Sequence, residues 1–133
     1  MAFQFSVAAR NAALDAIEAA TGTGPTLTIR TGAVPANCGA ARTGTVLATL
    51  ALSSNWLADA AAGSKGILGT WQDAAADAPG TAAHFSIDQA GTCHIQGTVT
   101  ATGGGGDMTL DNVSIATGQQ VTVTAFNVTA GGA

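Results

Sequence analysis

Charge is the scarcest commodity in this chain. Among 133 residues only four are Lys or Arg and eight are Asp or Glu, 9% in all, and the formal net charge is −4. Ordinary soluble domains carry about a quarter charged residues. The four cations, Arg10, Arg30, Arg42 and Lys65, are too few and too scattered for the basic patch of a nucleic-acid binder. Tyrosine is absent and tryptophan occurs twice, a poor platform for stacking on sugar rings. No run of 18 apolar residues occurs, which excludes a membrane-spanning helix. The opening MAFQFSVAAR has neither the basic start nor the apolar run of a signal peptide, so synthesis in a cytoplasm is expected. Cysteine is limited to Cys38 and Cys93. In a reducing compartment these read most simply as two buried thiols; a disulfide requires a fold that brings them together. Asn112-Val113-Ser114 and Asn127-Val128-Thr129 fit the glycosylation pattern, which means nothing without a secretory route.

Alanine, threonine and 18 glycines take the place of the missing charge. Leu, Ile, Val and Phe make up about a fifth of the chain, near the level where order fails, but the low net charge argues against disorder. One thin-cored domain over 1–133 is expected, gaining stability from assembly. Net charge is what normally keeps domains apart, so a surface this neutral is one meant to be covered.

Phe3, Phe5 and Val7 alternate as an entering strand or extended arm. Residues 6–20 read as a helix with Ser6 as N-cap and Gly22 at the left-handed C-terminal cap. Its inward face is expected to carry Arg10, Ala13, Leu14, Ile17 and Thr21, with Leu14 and Ile17 as anchors. The period then changes to two. Thr26–Arg30 is a strand, 31–43 a loop, and Val46, Ala48, Leu50 and Leu52 face inward from a second strand. Residues 55–63 suggest a helical turn or two ending at Gly63, 66–71 a third strand, and 73–80 an alanine-rich loop. A hairpin follows, with Ala83, Phe85 and Ile87 inward, a turn at Asp88-Gln89-Ala90-Gly91, and Cys93, Ile95, Gly97 and Val99 inward. Gly103 to Gly106 is expected to be the most flexible point. The last two strands, 108–115 and 120–128, each change phase midway, which predicts bulges. The sum is an all-β, antiparallel β-sandwich or jelly-roll-like domain over 25–130, preceded by an arm and one N-terminal amphipathic helix over 1–22.

No catalytic constellation stands out. His84, Ser86 and Asp88 hold the letters of a nucleophilic triad. Alternate strand residues, however, stand about 6.6 Å apart with parallel side chains, whereas a relay needs converging groups near 3 Å. The row reads as polar and outward-facing. His84 and His94 lie diagonally on that face, too few ligands for a closed zinc site, and are expected to titrate in a subunit contact. Asp73 with Asp77, and Asp107 with Asp111, read as solubilising or turn-forming carboxylates rather than a glycosidase pair. The glycine run lacks the Lys-Ser/Thr and the helix of a phosphate loop. Trp56 and Trp71 plug the ends of the fold or anchor an interface. No cofactor or metal is expected.

Five segments carry a resemblance over nearly the whole length and in order. They are Arg10-Asn11-Ala12-Ala13-Leu14-Asp15-Ala16-Ile17-Glu18, Leu27-Thr28-Ile29-Arg30-Thr31-Gly32, Ala83-His84-Phe85-Ser86-Ile87-Asp88, Thr92-Cys93-His94-Ile95-Gln96-Gly97-Thr98-Val99 and Gly105-Gly106-Asp107-Met108-Thr109-Leu110-Asp111-Asn112. Together these resemble small proteins encoded by tailed bacteriophages and prophages. The resemblance implies a virion structural component, first a capsid decoration or other head-associated protein, with no catalytic residues to carry over. Expected partners are further copies of the chain and the major capsid protein or other virion proteins, with no nucleic acid and no membrane. The expected interface residues are Phe3, Phe5, Trp56, Trp71, His84 and His94. Rival readings are a tail or fibre component touching the host, a carbohydrate-binding module using Trp56 and Trp71, and a hydrolase using His84, Ser86 and Asp88.

Overall fold

Alanine-rich sequence after a serine is a strong local instruction for helix. In the computed structural model, which describes residues 3–132, α1 spans Val7–Thr21. Met1, Ala2 and Ala133, the outermost residues of the expected domain, lie outside the described residues. The Ser6 hydroxyl accepts from the Ala9 N–H at 3.1 Å, and Gly22, at φ +94°, donates its N–H to the Glu18 carbonyl at 2.9 Å. The N-cap is as expected; Gly22 closes the helix at positive φ, but with ψ −171° it does not take the left-handed helical conformation. Of the expected inward face, Leu14 and Thr21 are buried and Arg10 is half-buried, whereas Ala13 is exposed and the expected anchor Ile17 keeps 39% of its surface exposed.

The rest is mostly β structure. The strands are β1 (Thr26–Arg30), β2 (Val46–Ala51), β3 (Ser64–Gly66), β4 (Gln72–Asp73), β5 (Gly80–Thr81), β6 (His84–Gln89), β7 (Thr92–Ala101), β8 (Met108–Leu110), β9 (Ser114–Ile115) and β10 (Val121–Thr129). Eight form one curled sheet in the order β2-β1-β6-β7-β8-β10-β3, with β4 also on β10; β5 and β9 pair separately. No helical turn forms over 55–63: Ala61 and Ser64 bridge across a tight turn at Ala62 and Gly63, whose φ values are +51° and +76°. The expected third strand is displaced to β3, with Ile67 bridging Leu57. The expected 108–115 strand splits into β8 and β9. The phase change in β10 is a bulge between Val123 and Ala125 that turns Phe126 back to the core.

The sheet is mixed rather than antiparallel throughout, because β7 and β8 run parallel, Val99 beside Met108 and Ala101 beside Leu110. Parallel neighbours usually need a crossover of a dozen or more residues. Here only residues 102–107 intervene, and the four glycines make that brevity work. Gly103 and Gly105 take φ near +87° and +82°. Gly104 and Gly106 lie against Thr100, where an added Cβ would stand 2.7 and 2.9 Å from its atoms. The run is a tight, tied turn and not the expected flexible tip: Gly106 N–H donates to Thr100 Oγ1 at 3.0 Å, and Asp107 Oδ2 accepts from Thr98 N at 2.9 Å. We expect Gly106→Ala to cost about 1–3 kcal/mol by overpacking, read as a lower urea midpoint at unchanged slope.

Leu27, Ile29, Leu50, Phe85, Ile87, Met108 and Leu110 fill the inside of the curl. Across it runs an aromatic chain, with Trp56 to Trp71 at 6.0 Å, Trp71 to Phe126 at 5.8 Å and Phe126 to Phe85 at 5.4 Å between ring centroids. The second strand contributes Leu47 in place of the half-buried Val46, because the β1–β2 ladder shifts register between Ile29 and Arg30. The free side of β2 is covered. Its Thr49 N–H donates to Asp73 Oδ2 at 3.0 Å, its Thr49 hydroxyl to Asp77 Oδ2 at 2.9 Å, and its Leu47 carbonyl accepts from Asp77 N at 2.7 Å. Asp73 and Asp77 thus clasp a strand edge instead of merely solubilising a loop, which blocks pairing of that edge with another chain.

Candidate functional site

The helix docks by a mixed face, in which buried Leu14 and Thr21 lie among polar residues that bond to the domain. Arg10, Asn11, Asp15 and Glu18 share one stripe at helical spacing, and that stripe meets the domain. Arg10 Nη2 donates to the Ala62 carbonyl at 3.0 Å and its Nε to the Ala130 carbonyl at 3.3 Å. Asn11 Oδ1 accepts from Gly63 N at 2.9 Å. Lys65, the chain's single lysine and a buried one, donates to Asp15 Oδ1 at 2.7 Å and lies 3.5 Å from Glu18 Oε2. Burial alone would push its ammonium down. The hydrogen bond to Asp15 and the charges of Glu18 and Asp15 outweigh that and hold its pKa above the ordinary 10.5. Trp56 Nε1 donates to the Gly22 carbonyl at 3.0 Å and ties the helix end to the core.

Several large apolar side chains in and before the helix nevertheless stay exposed. Phe3 is 79% exposed, Phe5 50% and Val7 51%, and with Ile17 they are four of the five large exposed hydrophobic residues described. Phe3 and Phe5 meet edge to face at 5.4 Å. The Phe5 N–H donates to the Gly132 carbonyl at 2.6 Å, so the arm lies along the C-terminal segment. A cleft of about 330 Å³ opens beside it between Phe5, Ala9, Ala13 and Ala130. The helix buries Leu14 in its own domain, as a surface helix ordinarily does, and leaves Val7 and Ile17 exposed beside Phe3 and Phe5.

The other expected interface residues are elsewhere. Trp56 and Trp71 are core residues, 0% and 3% exposed, so neither presents a ring face to a sugar. His84 and Ser86 are not outward-facing but wholly buried. The reason is the 31–45 segment, which lies over the polar face of β1, β6 and β7. Gly32 O accepts from His84 Nδ1 at 2.9 Å, Pro35 O accepts from Gln96 Nε2 at 2.8 Å, and Arg42 Nη1 donates to Gln96 Oε1 at 2.6 Å. Cys38 and Cys93 are joined in a disulfide, with Cα atoms 5.3 Å apart, and are not buried thiols. Cys93 reaches the polar face because the hairpin bulges between Ile87 and Asp88, pairing Cys93 with Asp88. That one-residue slip reverses the side expected for Cys93 and leaves His94 exposed. It also shortens the turn to Ala90-Gly91, since Gln89 pairs with Thr92.

His84 sits opposite Thr98, and Ser86 opposite Gln96, so the two histidines do not form a pair. Ser86 Oγ contacts Asp88 Oδ2 at 3.4 Å while His84 donates to Gly32; neither bond links His84 to Ser86. Among the described residues no group of three or more His, Cys, Asp or Glu side chains gathers to hold a metal, and no helix is long and apolar enough to cross a membrane. No family model, curated protein or solved structure matches the chain.

Proposed function

We propose that this protein is a non-enzymatic structural subunit of a tailed-phage virion, a capsid decoration or other head-associated component. It acts by burying neutral surface between copies of itself and against the major capsid protein. The observation that carries this reading is the exposed apolar N-terminal region: Phe3, Phe5, Val7 and Ile17 stay exposed while Leu14, Arg10, Asn11 and Lys65 fasten the helix to the domain. Apolar patches of this kind mark interaction sites. The resemblance to small phage proteins supplies the particle, and repeated copies supply stability by mass action to a thin-cored fold. The curl that sets Phe85 of β6 against Phe126 of β10 is, in our reading, the sandwich of a jelly-roll-like shell protein.

The double variant Val7→Asp and Ile17→Asp tests the role. Both side chains are already exposed in the single chain, so the thermal midpoint stays near wild type. Self-association followed by sedimentation weakens by tenfold or more, at about 1.4 kcal/mol per decade. Removing residues 1–7 likewise weakens incorporation into particles more than it weakens folding. Wild-type protein that stays a single chain at high concentration and is absent from virions overturns the assignment.

A further inference from the structure

The geometry points to the 31–45 segment as a redox-gated strap: the Cys38–Cys93 bond holds it down over the His84–Ser86 row, and reduction lets it lift while the sheet stays folded.

Three observations carry this. First, every residue from 31 to 45 is half-buried or exposed, whereas the flanking Ile29 and Leu47 are fully buried. Lifting the segment therefore costs little apolar burial. Its neck is closed on its own, by Thr31 N to Thr45 O at 3.1 Å and Thr45 N to Thr31 Oγ1 at 2.9 Å, which lets the body swing without unzipping β1 from β2. Second, few bonds besides the disulfide hold the body to the sheet: Gln96 to Pro35 and to Arg42, and His84 to Gly32. Third, His84, held beneath the strap by its bond to Gly32, keeps a buried Nε2 with no protein hydrogen-bond partner. Such an atom favours any state in which water reaches it. A covalent tether offsets that tendency, and cutting it removes the offset.

The chemistry balances with a dithiol as reductant. One of its thiolates attacks a sulfur of the bridge, and the other cysteine sulfur leaves and takes up a proton. The second thiol then displaces the mixed disulfide, leaving Cys38 and Cys93 as thiols and the reductant as its own disulfide. Both cysteines are half-exposed and within reach of such a reagent. The strap is thus open in a reducing interior and closed once the protein meets oxidising surroundings.

The chain's two histidines supply a reporter and its control. His84 donates from Nδ1 to a carbonyl, so the nucleophilic lone pair of its neutral ring is on the covered Nε2; His94 is exposed. Full-length protein is treated with diethyl pyrocarbonate before and after reduction by dithiothreitol, and each histidine is followed by peptide mass spectrometry. His94 reacts in both states. His84 is protected in the oxidised chain and reacts about tenfold faster or more after reduction, while Trp56 and Trp71 keep the fluorescence of buried indoles. The Cys38→Ser, Cys93→Ser double variant shows the fast His84 reaction without reductant. Equal protection of His84 in oxidised and reduced protein overturns the proposal. So does reactivity that rises only together with exposure of the tryptophans, since that is unfolding of the whole chain.

Discussion

Replacing Trp56 with alanine lowers unfolding stability by about 4 kcal/mol. The side chain is fully buried against Trp71 and is the first link of the aromatic chain that reaches Phe85 through Phe126. Its removal leaves a cavity in the core beside Trp71. It also strips the Gly22 carbonyl of its indole donor. Domains of this size have about 5–15 kcal/mol in total, so the variant is close to unfolding at room temperature. Trp56→Phe keeps most of the volume but not the N–H, and is expected to cost about 1–2 kcal/mol. Urea denaturation of both variants separates the packing loss from the hydrogen-bond loss. An alanine variant within about 1 kcal/mol of wild type is incompatible with a core-spanning Trp56.

Lys65→Met is the second large effect. Methionine preserves the apolar stem and removes the charge, leaving Asp15 and Glu18 without their counter-ion. A fully buried pair broken in this way costs about 3–5 kcal/mol. The carboxylates here keep 62% and 23% of their side chains in solvent, which screens them, so about 2 kcal/mol is expected. The loss is concentrated in the docking of α1, and hydrogen exchange of the helix amides shows it more strongly than exchange in β6. The pH dependence has a definite sign. Lys65 binds its proton more tightly folded than unfolded, where its pKa is the ordinary 10.5. Its stabilisation is complete below about 10.5 and fades as pH rises through the higher folded value. Wild-type protein therefore loosens its helix on the alkaline side of 10.5, and Lys65→Met lacks that step.

How much of this is written in the sequence depends on the range over which each signal acts. Ser6 and Gly22 mark the helix ends through local capping chemistry, and the structure places the caps there. Which side of the helix faces inward depends on what lies beneath, and that is a distant lysine and two carbonyls. Helical spacing places Arg10, Leu14 and Thr21 on the inward side correctly but adds Ile17, and it leaves out Asn11, Asp15 and Glu18, which complete the anchoring face. In a chain with so few charges, four such residues on one side of a helix are anchors and not a solvated face. The alternation of β1 and β6 was equally legible, but burial on both faces of β6 was not, because the covering segment has no periodicity of its own.

The hairpin shows a sharper limit. Strand period places Cys93 with Ile95 and Gly97, and a single bulged residue moves it to the opposite side, where Cys38 waits. No composition or spacing rule reveals that one extra residue. The glycine run misleads for a related reason. Four consecutive glycines suggest freedom, yet each is demanded either by a positive φ or by the closeness of Thr100, and together they allow a parallel neighbour without a crossover helix. The tryptophans are core residues, and their burial removes the surface that a sugar-binding role or an interface needs.

The bond between Phe5 and Gly132 has a practical corollary. Phe5 and Gly132 meet beside the same greasy cleft, so bulk attached close to either residue would shield the patch that other copies are meant to meet. Thr70 and Thr117 are exposed beside the open bends at Gly69 and Gly118 and do not share their positive φ. Labels grafted at those threonines leave that patch bare, and fluorophores or nanogold placed there would report on packing in a particle without blocking it.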